Sequence, residues 1–417
     1  MRVTACLTNR PAARRATFIL NAGFNVRIMH RGDRKPLRYA LRDDNIRGAT
    51  VGEGLIYVAR DSIRPDEPLC VEYLGAFPVY AVDSGAFAFT DSKGFIAFNG
   101  RTLRAAEQTK WYPIPYDSAA GPQAYEAMTY DIDVRCDDCR GIYLNGSTPQ
   151  AGPWARFRSA VPVSLLLFAG EITWSSVGST VAINSPLPDR SLRTISTMVD
   201  SIGGYYARFI GIPYGQPIVF LTHRIIENNP RRRWGFVTYP TAAFSGDGLA
   251  ALLGDDGSIA PFAWGYLGHE MAHYYFGTLA HPTGLLWGLT EAFAEYLGLK
   301  VVRRELGDSA FRERIAPYLA HWAQDSTSIP LDSVVSASEI SGQYLYELGP
   351  VALLTLETLV GERTMGGFLR TMVSQPNPRW DYTLMRDTAL RSGVSTAAWS
   401  QFEDRCVRRT ARTRCGR

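Results

Sequence analysis

The stretch His269-Glu270-Met271-Ala272-His273, with Glu291 and Glu295 following it, decides how this chain is read. Its neighbours Phe262, Tyr266, Leu267 and Tyr274 continue a largely apolar run, so a helix is expected here. Residues four apart share a helix face, and His269 and His273 therefore aim two imidazoles at one point. The helical period turns Glu270 about 100° away from His269, which leaves it to act on a water at a metal rather than to ligate. After a turn containing Pro282, Gly284 and Gly288, a second helix is expected over Leu289 to Val302, with Glu291 and Glu295 four apart on one face. Two antiparallel helices joined this way bring Glu291 to the metal as a third ligand. Two His and one Glu with an open fourth position make the donor set of a catalytic zinc, because structural zinc is closed by four protein ligands. His is scarce in the chain (30, 223, 269, 273, 281 and 321), yet two of the six stand at the required spacing.

Upstream of this stretch the pattern changes. Phe24, Val26 and Ile28 alternate with polar residues, as do Met128, Tyr130, Ile132 and Val134, which is the period of half-buried strands. Turn signals recur at Gly32-Asp33, Pro65-Asp66-Glu67-Pro68, Asn99-Gly100 and Asn145-Gly146. The segment Asn184-Ser185-Pro186-Leu187-Pro188 reads as a linker. Beyond it Leu192, Ile195, Val199, Ile202 and Phe209 follow helical spacing, two short strands are expected at Ile218 to Thr222 and Trp234 to Tyr239, and the pattern is helical from Pro261 onward. The expectation is an α+β protein: an antiparallel β-sheet domain over 1–180, then a mostly helical catalytic domain over 181–417 ending in an Arg-rich tail.

Composition narrows the function. The chain has 417 residues, 46% hydrophobic and 20% charged, which excludes a disordered or collagen-like protein. Its 44 basic and 40 acidic residues give a net charge of +4, too weak and dispersed for a nucleic-acid partner. No apolar run reaches the ~18 residues of a membrane span. Arg10, Arg14 and Arg15 precede an apolar run interrupted by Asn21 and Gly23, so no signal peptide is read there. The default location is cytoplasmic, or exported if a leader has been trimmed. Six cysteines are too few for a disulfide scaffold. Cys136 and Cys139 beside Asp137 and Asp138 read as a local disulfide or two free thiols, and Cys406 with Cys415 closes a small loop in an oxidising compartment.

HEMAHYYFG at 269–277 and WGLTEAFAEYLG at 287–298 resemble the H-E-x-x-H-x-W-F-G and N-E-G-F-A-E-Y signature of gluzincin zinc peptidases of the aminopeptidase N and leukotriene-hydrolase family. The family usually has 18 residues between the second His and the ligand Glu; Tyr274 to Thr290 makes 17 here. The resemblance implies zinc as cofactor, His269, His273 and Glu291 as its ligands, and Glu295 steadying a ligand His from behind. Tyr346-Glu347-Leu348-Gly349 resembles the family's Y-E-K-G helix, with Leu348 in place of the Lys. By that resemblance Tyr346 donates to the oxyanion of the reaction, with nearby Tyr344 as its competitor. Lys110-Trp111-Tyr112-Pro113 and Tyr143-Leu144-Asn145-Gly146 resemble weaker signposts of the family's saddle-shaped N-terminal domain, followed by a thermolysin-like catalytic domain. By the resemblance, the given sequence is expected to run to near the end of the catalytic domain, without a stretch matching the family's large C-terminal helical domain.

One position departs from the family. Its aminopeptidases carry Gly-x-Met-Glu-Asn before a Trp-Gly on a sheet edge, and the Glu binds the substrate's α-amine. Trp234 and Gly235 match the continuation, and Arg232, within the run Arg231-Arg232-Arg233, falls where that Glu belongs. A cation there repels an ammonium group, although the edge strand can still pair with an extended peptide. The expectation is a metallopeptidase with Glu270 as general base, Tyr346 as oxyanion donor and a peptide or protein as substrate. Its alternatives are a zinc hydrolase of a non-peptide bond and a degenerate peptide-binding protein. Side-chain preference, exo- or endo-cleavage and oligomeric state have no signal in the sequence.

Overall fold

The computed structural model describes residues 1–10, 15–42, 54–77, 96–116, 125–215, 217–223, 235–325, 328–375, 379–408 and 415. They form two compact units. The first comprises Met1–Ser175, Ala182–Pro186 and Val219–Leu249; the second comprises Ser176–Val181, Leu187–Ile218 and Ala250–Arg417. This division differs from a single boundary at 180/181, because the chain returns to the first unit for the strands after Val219. The difference has a physical origin: Asn145, Tyr143 and Glu107 hydrogen-bond to Thr238, Tyr239 and Thr241, and the parallel pair Ile218–His223 and Thr241–Ser245 is buried along its length.

Over residues 1–170 the described strands pair antiparallel, as the alternating patterns predict. Leu69–Leu74 runs between Arg2–Leu7 and Asn25–Arg31. A four-stranded sheet has the order Tyr39–Arg42, Gly54–Ala59, Thr17–Asn21, Ile114–Pro115, and a five-stranded one the order Gln150–Ala151, Gly141–Leu144, Leu167–Gly170, Thr102–Ala105, Ala97–Phe98. Thr17–Asn21 lacks alternation because both its faces are covered: Phe18 and Leu20 enter the main core, while Ile19 packs with Ile56 and Val58. In the long ribbon Ala127–Arg135 with Trp154–Ser164, Tyr130, Ile132 and Val134 face the core. On its outer face Arg156 and Arg158 both hold Asp131 at 2.9 Å.

Asn25–Arg31 departs from strict alternation. Its pairing slips between Val26 and Ile28, so Met29 rather than Ile28 takes the next core position and Ile28 stands opposite Glu72. A bulge adds one residue, and one residue exchanges the two faces. All six cysteines are paired: Cys6–Cys70 between directly opposed strand residues, Cys136–Cys139 within a turn, and Cys406–Cys415 near the C-terminus. The low count thus supplies three staples and no free thiol.

The second unit is built on helices α1 (Asp189–Ile210), α2 (Pro261–Ala272), α3 (Leu289–Gln324), α4 (Gly349–Val360), α5 (Glu362–Val373), α6 (Tyr382–Arg391) and α7 (Thr396–Phe402). Leu192, Ile195, Val199 and Ile202 are the buried stripe of α1, and Tyr206 on that stripe donates to the Gly268 carbonyl of α2 at 2.7 Å. Pro261 starts α2 where a missing N–H costs nothing. Phe276 and Phe293 stack with centroids 4.6 Å apart, and Trp380 closes on both edge-on, which fixes the turn between α2 and α3. The α2–α3 crossing is tight: a Cβ at Gly298 would stand 3.0 Å from both the Gly265 carbonyl and the His269 nitrogen. Helix α3 breaks at Gly307, whose φ of +86° favours glycine, and its second arm continues past the break to Gln324. No helix among the described residues is long and apolar enough to cross a membrane.

Candidate metal centre

The end of α2 carries the first two candidate ligands. His269 lies in its last turn and His273 caps it. Glu291 sits in the first turn of α3. The crossing at Gly298 brings them together: His269 Nε2 is 3.3 Å and His273 Nε2 3.5 Å from Glu291 Oε2. Each imidazole is tied back through its other nitrogen. His269 Nδ1 donates to Glu295 Oε2 at 2.9 Å, and His273 Nδ1 donates to the Phe276 carbonyl at 3.0 Å. A carboxylate and a carbonyl can only accept, so both Nδ1 atoms carry hydrogen and both Nε2 atoms, turned toward Glu291, are the ones placed to ligate. The side chains are 12% and 18% exposed, so the rings are held as well as aimed.

The electrostatics match this geometry. Burial works against an imidazolium at His269, yet hydrogen bonds to Glu291 and Glu295 outweigh it and raise its pKa to about 10. His273 is raised against the same burial penalty by the charge of Glu291 and its hydrogen bond. Burial opposes ionisation of Glu291 and Glu295, but the two histidines hold Glu291 well below the usual carboxylate range, and His269 with Tyr318 and Arg314 holds Glu295 below it. The carboxylates keep their charge by pairing with the imidazoliums, and a divalent cation held by the neutral imidazoles would play the same part. One nitrogen from each of two imidazoles and one carboxylate oxygen, all within 4.8 Å of one another, fit a divalent metal of the zinc type.

Glu270 is half-buried on α2 and stands outside this donor group, as its helical position predicts. Tyr346 lies in a short wide turn at Tyr344–Leu348 that leads into α4. Its ring stacks on that of His269 at 6.0 Å. Burial first, and then the Glu291 carboxylate, push its pKa above the ordinary phenol value, so it keeps its proton at neutral pH. Tyr344 has the opposite orientation: it is 5% exposed and lines an apolar cavity with Phe293, Leu356 and Phe368. Among the described residues a second metal-like cluster, Cys136, Asp138 and Cys139, has both sulfurs in a disulfide and offers no thiolate.

Arg232 and Trp234 lie outside the described residues. Gly235 is exposed at the head of Gly235–Thr238, which pairs with Thr241–Ser245 and ends its sheet. Asn145, fully buried, braces that strand: its amide donates to the carbonyls of Thr238 and Tyr239 at 2.9 and 2.8 Å, and its oxygen accepts from Thr241 at 2.6 Å. In the other weak signpost Lys110 is buried in an ion pair with Glu126, and Trp111 donates to the Leu165 carbonyl at 3.1 Å. Sequence reasoning did not reach Tyr318 and Arg314, which meet Glu295 from the second arm of α3 at 2.7 and 3.3 Å. The signal was there: Arg314, Tyr318 and His321 share one helix face.

The fold and this constellation define a class, the α+β proteins with a β-sheet unit followed by a helical unit carrying an H-E-x-x-H helix. Within it, the chain superposes on leukotriene A4 hydrolase from Saccharomyces cerevisiae with a TM-score of 0.68 at 13% identity, covering 97% of this chain and 64% of that one. On the M1 zinc metallopeptidase from Deinococcus radiodurans the TM-score is 0.62 at 17% identity, with 99% and 90% covered. A variant of the latter bound to a Tyr-Ser-Ala substrate gives 0.59 at 16%, with 99% and 89% covered. The chain has the fold of these proteins and spans about two-thirds of the yeast protein's length. No family model and no curated protein matches it by sequence.

Proposed function

We propose that this chain is a zinc-dependent metallopeptidase whose second unit is the catalytic one, with His269, His273 and Glu291 as metal ligands. The observation that carries this reading is the convergence of His269 Nε2 and His273 Nε2 on Glu291 while both Nδ1 atoms are anchored elsewhere. The fold shared with M1 zinc metallopeptidases supports it, and so does the peptide bound to one of them. Bound there, zinc supplies a Lewis acid that polarises a carbonyl and makes water acidic enough to lose a proton near neutral pH. Glu270 takes the proton of the attacking water on its carboxylate and delivers it to the departing amine. Tyr346, protonated at neutral pH, donates its hydroxyl hydrogen to the oxyanion as the carbonyl carbon becomes tetrahedral. Glu295 holds the tautomer and aim of His269.

The substrate is a peptide or protein. Arg232 in place of an anionic amine anchor favours blocked, acidic or internal sites over a free N-terminus. The test measures zinc content by mass spectrometry together with cleavage of internally quenched and amino-acid reporter substrates. About one zinc per chain and cleavage of at least one peptide are expected, both lost in His273→Ala. Full zinc occupancy in that variant would overturn the ligand assignment. Zinc without peptide cleavage would favour hydrolysis of a non-peptide bond, the chemistry for which the yeast neighbour is named.

A further inference from the structure

The break at Gly307 turns the second arm of α3 back toward the residues that start the same helix, and one face of that arm meets Glu295 behind His269 and Glu347 beside Tyr346. Tyr318 donates to Glu295 Oε1 at 2.7 Å, and Arg314 reaches the same oxygen at 3.3 Å. Three residues further along, His321 pairs with Glu347, the neighbour of Tyr346. Arg314, Tyr318 and His321 follow i, i+4, i+7 spacing, so a single stripe makes all of these contacts.

The Glu295 side chain is 9% exposed, and its two oxygens are divided: Oε2 faces His269 Nδ1 and Oε1 faces the arm. A carboxylate held by one oxygen swings freely about its last torsion, and its partner imidazole follows. Held by both oxygens, its plane is fixed, and the aim of His269 Nε2 is fixed with it. We propose that Tyr318, assisted by Arg314, is a positioning residue that sets the metal site through Glu295 and His269. This rests on the reading of His269, His273 and Glu291 as a zinc site.

The test is a double-mutant cycle read as zinc affinity, by chelator competition on purified full-length protein, and as the visible spectrum of the cobalt(II) form. Tyr318→Phe is expected to weaken zinc binding about tenfold and to shift the cobalt bands, as removal of an outer partner of a ligand His does elsewhere. Arg314→Gln, at a half-exposed side chain, is expected to act in the same direction by a smaller factor. In a Glu295→Gln background Tyr318→Phe should change the affinity less than twofold, because the link through which it acts is already cut. Tyr382→Phe, which removes a comparable Tyr–Glu bond to Glu403 at 2.6 Å, is the control and should leave the affinity unchanged. Parental affinity and spectrum in both Tyr318→Phe and Arg314→Gln would overturn the proposal alone. So would an undiminished Tyr318→Phe effect in the Glu295→Gln background. A parent that binds no zinc would overturn the site reading and this inference with it.

Discussion

Gly298 and His269 meet across the α2–α3 crossing so closely that a Cβ on residue 298 would stand 3.0 Å from the His269 backbone nitrogen. The contact sets the distance between the helix that carries the two histidines and the helix that carries Glu291 and Glu295. Gly268 repeats it from the other side, with the Gly298 Cα 3.2 Å from its would-be Cβ. Backbone stands against backbone there, so a methyl group has no flexible side chain to push aside. Gly298→Ala is therefore expected to cost about 1–3 kcal/mol in unfolding free energy and to weaken zinc binding. Thermal unfolding and zinc titration of the same preparation check both effects, and an unchanged Tm would show that the crossing can relax.

Metal binding and chemistry should separate. Glu270→Gln keeps the donor atoms and removes the base, so zinc content should stay near the parental value while kcat falls by about 10²-fold or more. Tyr346→Phe should retain zinc and KM and lower kcat by roughly 10²-fold, because its bond to the oxyanion forms during reaction. Tyr344→Phe, at a buried ring in an apolar cavity, should leave kcat near parental. Steady-state kinetics on one peptide compares the two tyrosines, and a reversed order would exchange their roles.

Substrate choice should follow the charge at 232. A charge-assisted contact contributes roughly 1.5–3 kcal/mol, so a cation where an ammonium anchor belongs should shift preference by about tenfold or more. Matched peptides with free and acetylated N-termini, assayed in the parent and in Arg232→Glu, read this directly. The parent should favour the acetylated peptide and Arg232→Glu should move toward the free amine. A parent preferring the free amine with no gain from the substitution would place the anchor elsewhere.

The pH dependence of stability should carry the signature of His223. Burial first, and then the nearby Arg104 charge, push its pKa well below 6.5, so the folded protein holds it neutral. Above pH 6.5 neither state is protonated and the group is silent. Below that, the unfolded chain takes up a proton that the folded one refuses, and stability falls by about 1.4 kcal/mol per pH unit until the folded pKa is reached. Between pH 6.5 and 5 the unfolding free energy should fall more steeply in the parent than in His223→Gln, the difference between the two isolating the imidazole. Equal slopes would mean that the imidazole ionises without unfolding.

What the sequence determined by itself is everything carried by neighbours along the chain. The four-residue steps from His269 to His273 and from Glu291 to Glu295 are statements about helix faces, and the helices formed where those steps required. The alternation of Tyr130, Ile132 and Val134 is likewise a statement about sheet faces, and it held. The tertiary structure alone decided what depends on distant backbone. Two tyrosines two residues apart are indistinguishable in a string, yet one stacks on His269 and the other is buried among apolar side chains. The bulge at Val26–Ile28 leaves composition untouched and exchanges the faces of a strand. The Cys6–Cys70 bridge depends on a strand register set 64 residues apart. Tyr318 and Arg314 reach Glu295 because α3 breaks at Gly307, and a glycine in a helical run announces a possible break without saying where the chain turns next. Local periodicity is fixed by bond geometry; a meeting of distant side chains is fixed by which backbones approach closely, and here Gly298 and Gly307 decide it.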